Sequence, residues 1–370
     1  MSAPARLLVY GATGHTGELV AAEAAARGLG VVLAGRDAGR LATLSAETGF
    51  ETRAVALEDA NGLREALEDV AAVLHLAVPF SATATPMLDA CLATGTHYLD
   101  VNGELDVFQA IARRDAEARE AGVALVPGVG FHVVPTDCLA AHTAIRVPDP
   151  QRIHLVIAGM GPGVARSAAR LFAESLRRGV AIRRDGVITT RPIGRLQRTF
   201  DFGAGPIRAI GLPLGDVATA FHSTGAPNVE TYAVAHRGLP RALRVARLLA
   251  PLLRREAVQT WIETRLERGA DDAPADTQPE GTRATILAEV ESAEGGRART
   301  MLETPSPSAF TATAALAALR RIAEAPPSPG YHTPATAFGA DFVLALDGCK
   351  RHDLDAEEGP ERVALRNEDT

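Results

Sequence analysis

The chain has 370 residues, 46% of them hydrophobic and 22% charged, and a formal net charge of -7. That length accommodates two domains with large buried cores, and the balance excludes both an intrinsically disordered chain and a general affinity for nucleic acid. Three cysteines, Cys91, Cys138 and Cys349, stand far apart and fall in no metal-ligand spacing, so no metal site, no disulfide framework and a reducing cytoplasm are expected.

The first predicted unit is strand, glycine turn, helix, strand. Leu7-Leu8-Val9-Tyr10 reads as a buried strand, an Ala-rich helix follows Gly11-Ala12-Thr13-Gly14-His15-Thr16-Gly17, and Val31 to Gly35 reads as a second strand. This is the unit that holds a dinucleotide pyrophosphate. Gly11 permits the tight turn, Gly14 a close backbone approach to phosphate, and Gly17 close packing of helix on sheet, with the helix N–H groups facing the anion. With a strand beginning within the first ten residues no leader peptide is expected, and no apolar run reaches the length of a membrane span. No stable membrane insertion is therefore expected.

The end of the second strand selects the coenzyme. Gly35-Arg36-Asp37 stands where NAD sites usually place an acid on the ribose, and Arg40 follows one helical turn later. The planar guanidinium of Arg36 can pair with a 2′-phosphate, which favours NADPH/NADP over NAD, with Arg40 as a second candidate. The competing reading puts Asp37 on the ribose of NAD.

Further strands alternate with helices. Ala54 to Leu57 is expected as a third strand, followed by Asp59, a candidate acceptor for the adenine amino group or else a helix cap. Ala71 to Val78 is a continuous apolar run, as in a strand covered on both faces. Val78, Pro79 and Phe80 should then lie against the nicotinamide half. His75 within the run reads as a core histidine.

Two more strand ends aim at the same crevice. Thr96 to Val101 leads into Asn102-Gly103-Glu104, a helix is expected over 105–121, and Val123 to Val126 leads into Pro127 through Cys138. The polar groups placed for substrate or proton transfer are Asp100, Asn102, Glu104, His132, Thr136 and Asp137; each has an alternative role in a turn or cap.

With these motifs on the page, the sequence resembles the saccharopine dehydrogenase-like oxidoreductases, in particular the branch of trans-acting enoyl reductases. The resemblance rests on Tyr10 through Gly17, Ala34-Gly35-Arg36, His97-Tyr98-Leu99-Asp100 with Gly103-Glu104, Gly130-Phe131 with Pro135 and Asp137, and Gly330-Tyr331-His332-Thr333-Pro334-Ala335 with Phe338-Gly339. It implies a Rossmann-type doubly wound parallel sheet that binds NADP over 1–135, an α+β substrate and dimerisation domain over 136–305, a return to the first domain over 306–348, and a charged tail over 349–370. The family commonly has an acid after the Gly-Phe pair; here that position is His132.

In the second half, strands are expected over Ile153 to Ala158, Val229 to Ala235, Arg283 to Val290 and Arg297 to Leu302. The Gly- and Pro-punctuated stretch from Pro192 to Pro227 is too long for a bare connection and is expected as either a substrate-shaping loop or plain irregular packing. Leu239 to Leu266 reads as a basic amphipathic helix docked on its own domain or on a second subunit, with a membrane-surface helix as the competing reading, so a homodimer is one expected partnership. An exposed loop is expected over 269–281 and a mobile tail after Cys349.

Other dehydrogenase chemistries lack their residues. No tyrosine is followed four positions later by lysine, and Cys138 sits beside Asp137, which would raise its pKa. The expectation is a reductase in which His132 or Glu104 serves proton transfer to an activated C=C or C=N bond of a small or medium metabolite. Two alternatives remain: an NADP(H)-binding protein without catalysis, and a saccharopine-type imine reductase that would draw on Arg166, Arg170, Arg177, Arg183 and Arg184 for substrate carboxylates.

Overall fold

A computed structural model describes residues 6–159, 179–192, 194–234 and 283–354. The chain divides into two units: Met1–Cys138 with Ser308–Asp347, and Leu139–Pro307 with Gly348–Thr370.

The first unit is built on a seven-stranded parallel sheet. In chain order its elements are β1 (Arg6–Tyr10), α1 (His15–Ala26), β2 (Val32–Gly35), α2 (Ala38–Thr48), β3 (Thr52–Ala54), α3 (Ala60–Leu67), β4 (Val70–His75), α4 (Phe80–Thr94), β5 (His97–Asp100), α5 (Leu105–Ala112), α6 (Asp115–Ala121) and β6 (Ala124–Val126). Helix α7 (Val134–Ala144) follows, the first unit taking its residues up to Cys138. The return segment adds α9 (Pro307–Glu324), β15 (Gly330–Tyr331) and α10 (Pro334–Phe338). Strand order is β15-β6-β5-β4-β1-β2-β3, the doubly wound order with one strand added at the β6 edge. The return thus contributes a strand and two α-helices.

Central strands are buried on both faces, which is why they read as unbroken apolar runs: Leu8, Val9, Leu33, Val73, Leu74 and Leu99 are all at or near zero exposure. His75 is inside this core, with its ring 5.7 Å from those of Tyr10 and Phe80 and 6.2 Å from that of Tyr98. Thr83 donates its hydroxyl proton to the Ala77 carbonyl at 2.6 Å, so at 3.1 Å its oxygen accepts from His75 Nε2. That leaves a buried Nδ1 without a partner among the described residues, and burial depresses the imidazole pKa to about 3.

Several boundaries differ from expectation. The third strand forms over 52–54 rather than 54–57, because the chain past Ala54 curls toward the α3 cap. Val55 still donates to the Gly35 carbonyl and its own carbonyl accepts the Tyr10 hydroxyl. Strand β4 stops at His75, and the chain leaves the sheet so that Val78 is 70% exposed. The helix expected over 105–121 is two, broken where Arg114 leaves the helical region to bond Asp89 and Glu117.

The second unit carries a nine-stranded mixed sheet, which agrees with the α+β expectation. Its strands are β7 (Pro150–Ala158), β8 (Val180–Arg184), β9 (Val187–Arg191), β10 (Gln197–Asp201), β11 (Pro206–Gly211), β12 (Asn228–Val234), β13 (Ala284–Ser292), β14 (Arg297–Thr304) and β16 (Lys350–Asp353), with α8 (Asp216–Thr224) before β12. Neighbours along the main path run β10-β11-β12-β7-β13-β14-β16, and β8 and β9 form a hairpin attached to β12.

The stretch 192–227 is not a bare loop, since it holds β10, β11 and α8. Its glycines and prolines punctuate short elements. The hairpin β8–β9 was not anticipated; its sequence signal is the turn Asp185-Gly186, where both residues take positive φ of 49° and 78°. The tail is likewise corrected. Residues 350–353 form an edge strand on β14, and Asp353 accepts from His142 at 2.9 Å and Thr300 at 3.0 Å. The amphipathic segment 239–266, the loop 269–281, and Arg166, Arg170 and Arg177 lie outside the described residues.

Candidate functional site

The carboxyl ends of the parallel strands in the first unit gather the site. Gly11 leaves β1 with φ of 84°, its N–H and that of Ala12 donating to the Ala34 carbonyl at 2.8 and 3.1 Å. A side chain at Gly11 would meet the Ala77 backbone nitrogen at 2.8 Å. At Gly17 a Cβ would stand 2.4 Å from the Gly11 carbonyl oxygen and 2.6 Å from Ala12, backbone against backbone, so only glycine lets α1 sit this close. Helix α1 starts at exposed Gly14 and His15, and no side chain caps it. Thr13 and Thr16 flank the turn, half-buried. An uncapped, solvent-facing helix start beneath a glycine turn fits a dinucleotide pyrophosphate.

The second strand end presents Arg36, exposed and without a hydrogen bond or ion pair to any described residue. Its charge and that of Glu58 both reach Tyr10, whose hydroxyl is pushed up to about 12 chiefly by burial. Arg40 is differently placed: its guanidinium donates to Glu18 at 2.9 Å. Asp37 accepts from the Arg40 backbone N–H at 3.0 Å and so caps α2, which occupies the acid that the NAD reading would place on a ribose. Asp59 accepts from Gly62 N–H at 2.9 Å and caps α3; the cap is the role visible for it.

Beyond β4, the peptide between Val78 and Pro79 is cis; both residues are exposed and Phe80 turns inward. The Phe80 N–H, at the start of α4, donates to Glu104 Oε1 at 3.3 Å. Glu104 in turn is held by Asn102, whose Oδ1 accepts the Glu104 N–H at 3.0 Å. His132 lies half-buried in the turn before α7, its Cβ and Cγ each 3.2 Å from where a Gly103 side chain would begin. Neither ring nitrogen bonds a described residue, and burial holds the imidazole below its ordinary pKa. The loops bearing Glu104 and His132 are thus packed together.

The remaining strand-end candidates are structural. Asp100 is fully buried and accepts from Tyr98 Oη, from Asn102 N and Nδ2, and from Gly128 N. Burial raises its carboxyl pKa while these bonds oppose the rise. Thr136 donates to the Val133 carbonyl. Asp137 lies inside α7 and accepts from the Ala335 N–H at 2.7 Å, so it docks α10 instead of capping its own helix. Cys138 is buried inside α7 rather than at a helix start, against the Gly339 carbonyl. Among the described residues no cluster of metal-ligating side chains occurs. Sequence reasoning gave Asp100 and Asn102 only turn or reaction roles and passed over Gly128; the signal for their union is spacing between strand ends, which one sequence does not display.

This glycine cradle on a doubly wound sheet defines a dinucleotide-binding domain. Residues 7–126 match the saccharopine dehydrogenase NADP binding domain, with NADP as the coenzyme of that domain, and in this region the chain is similar to the saccharopine dehydrogenase-like oxidoreductases. A trans-acting enoyl reductase of Mycobacterium leprae is 32% identical over 142 residues, 35% of this chain and 33% of that protein. A rat saccharopine dehydrogenase-like oxidoreductase is 26% identical over 162 residues, 38% of this chain and 37% of that protein. The chain spans about a third of the length of the curated relatives it matches. In fold it is similar to apo saccharopine dehydrogenase (L-Glu forming) from Saccharomyces cerevisiae, with a TM-score of 0.65 at 13% identity over 95% of this chain and all of that one.

Proposed function

We propose that this protein is an NADPH-dependent reductase acting on an activated C=C or C=N bond of a small or medium-sized, apolar-leaning metabolite. One observation carries the reading. The glycine cradle, the exposed Val78–Pro79 step, Glu104 and His132 all follow the carboxyl ends of neighbouring parallel strands, β1, β4, β5 and β6, where ligands of doubly wound sheets bind. When bound there, NADPH would supply the hydride for the electrophilic carbon of the substrate.

The chain's own residues do the rest. Gly11 through Gly17 hold the pyrophosphate and Arg36 grips the 2′-phosphate, while Val78 and Pro79 form the apolar platform for the nicotinamide half. Glu104, bonded to the Phe80 N–H, fixes the start of α4 beside that platform. His132 hands a proton to the atom next to the reduced centre, directly or through a water. Because burial keeps its pKa low, the proton-bearing form is scarce at neutral pH, and turnover should rise as the solution is acidified toward the imidazole pKa.

The test is substrate-dependent NADPH oxidation by the purified protein across enoyl thioesters, unsaturated ketones and cyclic imines, with His132→Ala beside it. Oxidation that disappears in the variant supports the reading. Coenzyme binding with no turnover on any of them overturns it in favour of a binding protein. Imine reduction on an amino acid has less support: Arg183 is engaged inside the second unit, donating to the Val217 and Gly186 carbonyls and lying 3.9 Å over the Phe221 ring. A homodimer and a cytoplasmic location belong to the same proposal, on the leucine spacing in the sequence of 239–266 and on the cysteine usage. Mass in solution tests the first.

A further inference from the structure

We propose that Asp100 is a positioning residue, a single carboxylate oxygen that ties the Glu104 loop to the His132 loop and sets their separation. Oδ1 accepts three hydrogen bonds, from Asn102 N at 2.9 Å, Asn102 Nδ2 at 2.7 Å and Gly128 N at 2.8 Å. The first two belong to the loop after β5, which carries Glu104; the third belongs to the loop after β6, which carries His132. The other oxygen accepts from Tyr98 Oη at 2.8 Å, and the Asp100 carbonyl accepts from Val129 N at 2.7 Å.

A carboxylate that only closed its own turn would use Asn102 alone. The bond to Gly128 crosses to a different strand end, and the contacts around it leave that loop little independent play. A Cβ at Gly128 would meet Val133 at 2.9 Å and Phe108 at 3.1 Å, and one at Gly130 would meet Val101 at 3.1 Å. Asn102 passes the constraint on, because its side-chain oxygen accepts the Glu104 N–H at 3.0 Å. His132 receives it through its packing on Gly103, with its Cβ and Cγ 3.2 Å from where a Gly103 side chain would begin. Asp100 itself is fully buried with both carboxylate oxygens engaged by protein groups, so it acts through the two loops.

The kinetic part of this inference rests on the reductase reading; the structural part does not. Hydrogen exchange of the full-length protein is followed in segments 101–106 and 127–134, with NADPH affinity by calorimetry and the separate values of kcat and KM. Asp100→Ala should speed exchange in both segments together and leave NADPH affinity within about twofold, because the cradle stands on β1 and α1. Turnover should fall roughly 10- to 100-fold, as expected for reacting groups displaced by up to an ångström. Asp100→Asn should restore protection and most of the turnover, since its amide oxygen accepts the three N–H bonds while its NH2 donates to the Tyr98 oxygen.

Asn102→Ala keeps the Asp100–Gly128 bond, so it should loosen 101–106 alone, and it decides the matter should Asp100→Ala fail to fold. Unchanged exchange over 127–134 in Asp100→Ala overturns the proposal, as does an Asp100→Asn protein as loose as the alanine variant, or Asn102→Ala with no change over 101–106. If the parent protein oxidises no NADPH with any substrate, the reductase reading fails while the exchange pattern still judges Asp100.

Discussion

The ring of His132 lies over the backbone of Gly103, with Cβ and Cγ each 3.2 Å from the point where a Gly103 side chain would begin. Gly103 is therefore fixed by its neighbour. Gly103→Ala forces the imidazole to yield by a few tenths of an ångström, and turnover should fall about 3- to 10-fold with NADPH affinity unchanged. Steady-state kinetics beside calorimetric titration check this; equal loss of both would place the damage in the whole unit.

Gly17 makes a harsher contact, because its would-be Cβ stands 2.4 Å from the Gly11 carbonyl oxygen and both sides are backbone. Gly17→Ala should push α1 off the sheet at a cost of about 1–3 kcal/mol and weaken NADPH binding at least tenfold. Thermal unfolding with and without NADPH reads both effects. A variant with parental stability and affinity would remove the close-approach explanation.

Coenzyme choice should reside in Arg36 more than in Arg40, since Arg36 is unpaired among the described residues and Arg40 is held by Glu18 at 2.9 Å. A hydrogen-bonded charge contributes about 1.5–3 kcal/mol, so Arg36→Ala should weaken NADPH roughly 10- to 100-fold and NADH less than twofold. Arg40→Ala should cost NADPH only about threefold or less, as befits an exposed ion pair. Paired titrations with the two coenzymes test the ranking.

His75 gives the fold a pH dependence whose sign can be worked out. Its folded pKa of about 3 lies below the ordinary 6.5, so the unfolded chain takes up a proton that the folded core refuses. The stability it contributes is complete above pH 6.5 and is lost at roughly 1.4 kcal/mol per pH unit as pH falls from there toward 3. His75→Phe should remove this one-proton slope from denaturant unfolding measured across that window. A slope identical to the parent's would mean that His75 does not exclude the proton.

Acid-side behaviour of the second unit should differ. Glu230 accepts from Tyr232 Oη at 2.6 Å and faces His154 Nε2 at 3.5 Å, and these partners hold its carboxyl down to about 2. Its contribution is present above the ordinary value of 4.5 and is lost as pH falls through about 2, so Glu230→Gln should flatten unfolding curves only below about pH 4.5. A change in slope confined to higher pH would contradict the assignment.

The sequence by itself determined the coenzyme unit. Gly11, Gly14 and Gly17 at fixed spacing, apolar runs buried on both faces, and a cation at the end of β2 are local signals, each set by one stretch of backbone and its immediate periodicity. It also marked Glu104 and His132, because in a parallel sheet the ends of successive strands face one crevice. Only the tertiary structure decided which polar groups there are available. Asp100, Asn102, Thr136 and Asp137 look as suited to chemistry as their neighbours, yet Asp100 and Asp137 proved to be bonded to another loop or helix, Asn102 and Thr136 to their own turns, and Asp37 and Asp59 to helix caps. The joining of β15 to β6 and of β16 to β14 was equally invisible, since the partner residues are hundreds or tens of positions apart. Pairings between distant segments depend on which surfaces remain uncovered once the local elements have formed, and one-dimensional spacing carries no record of that.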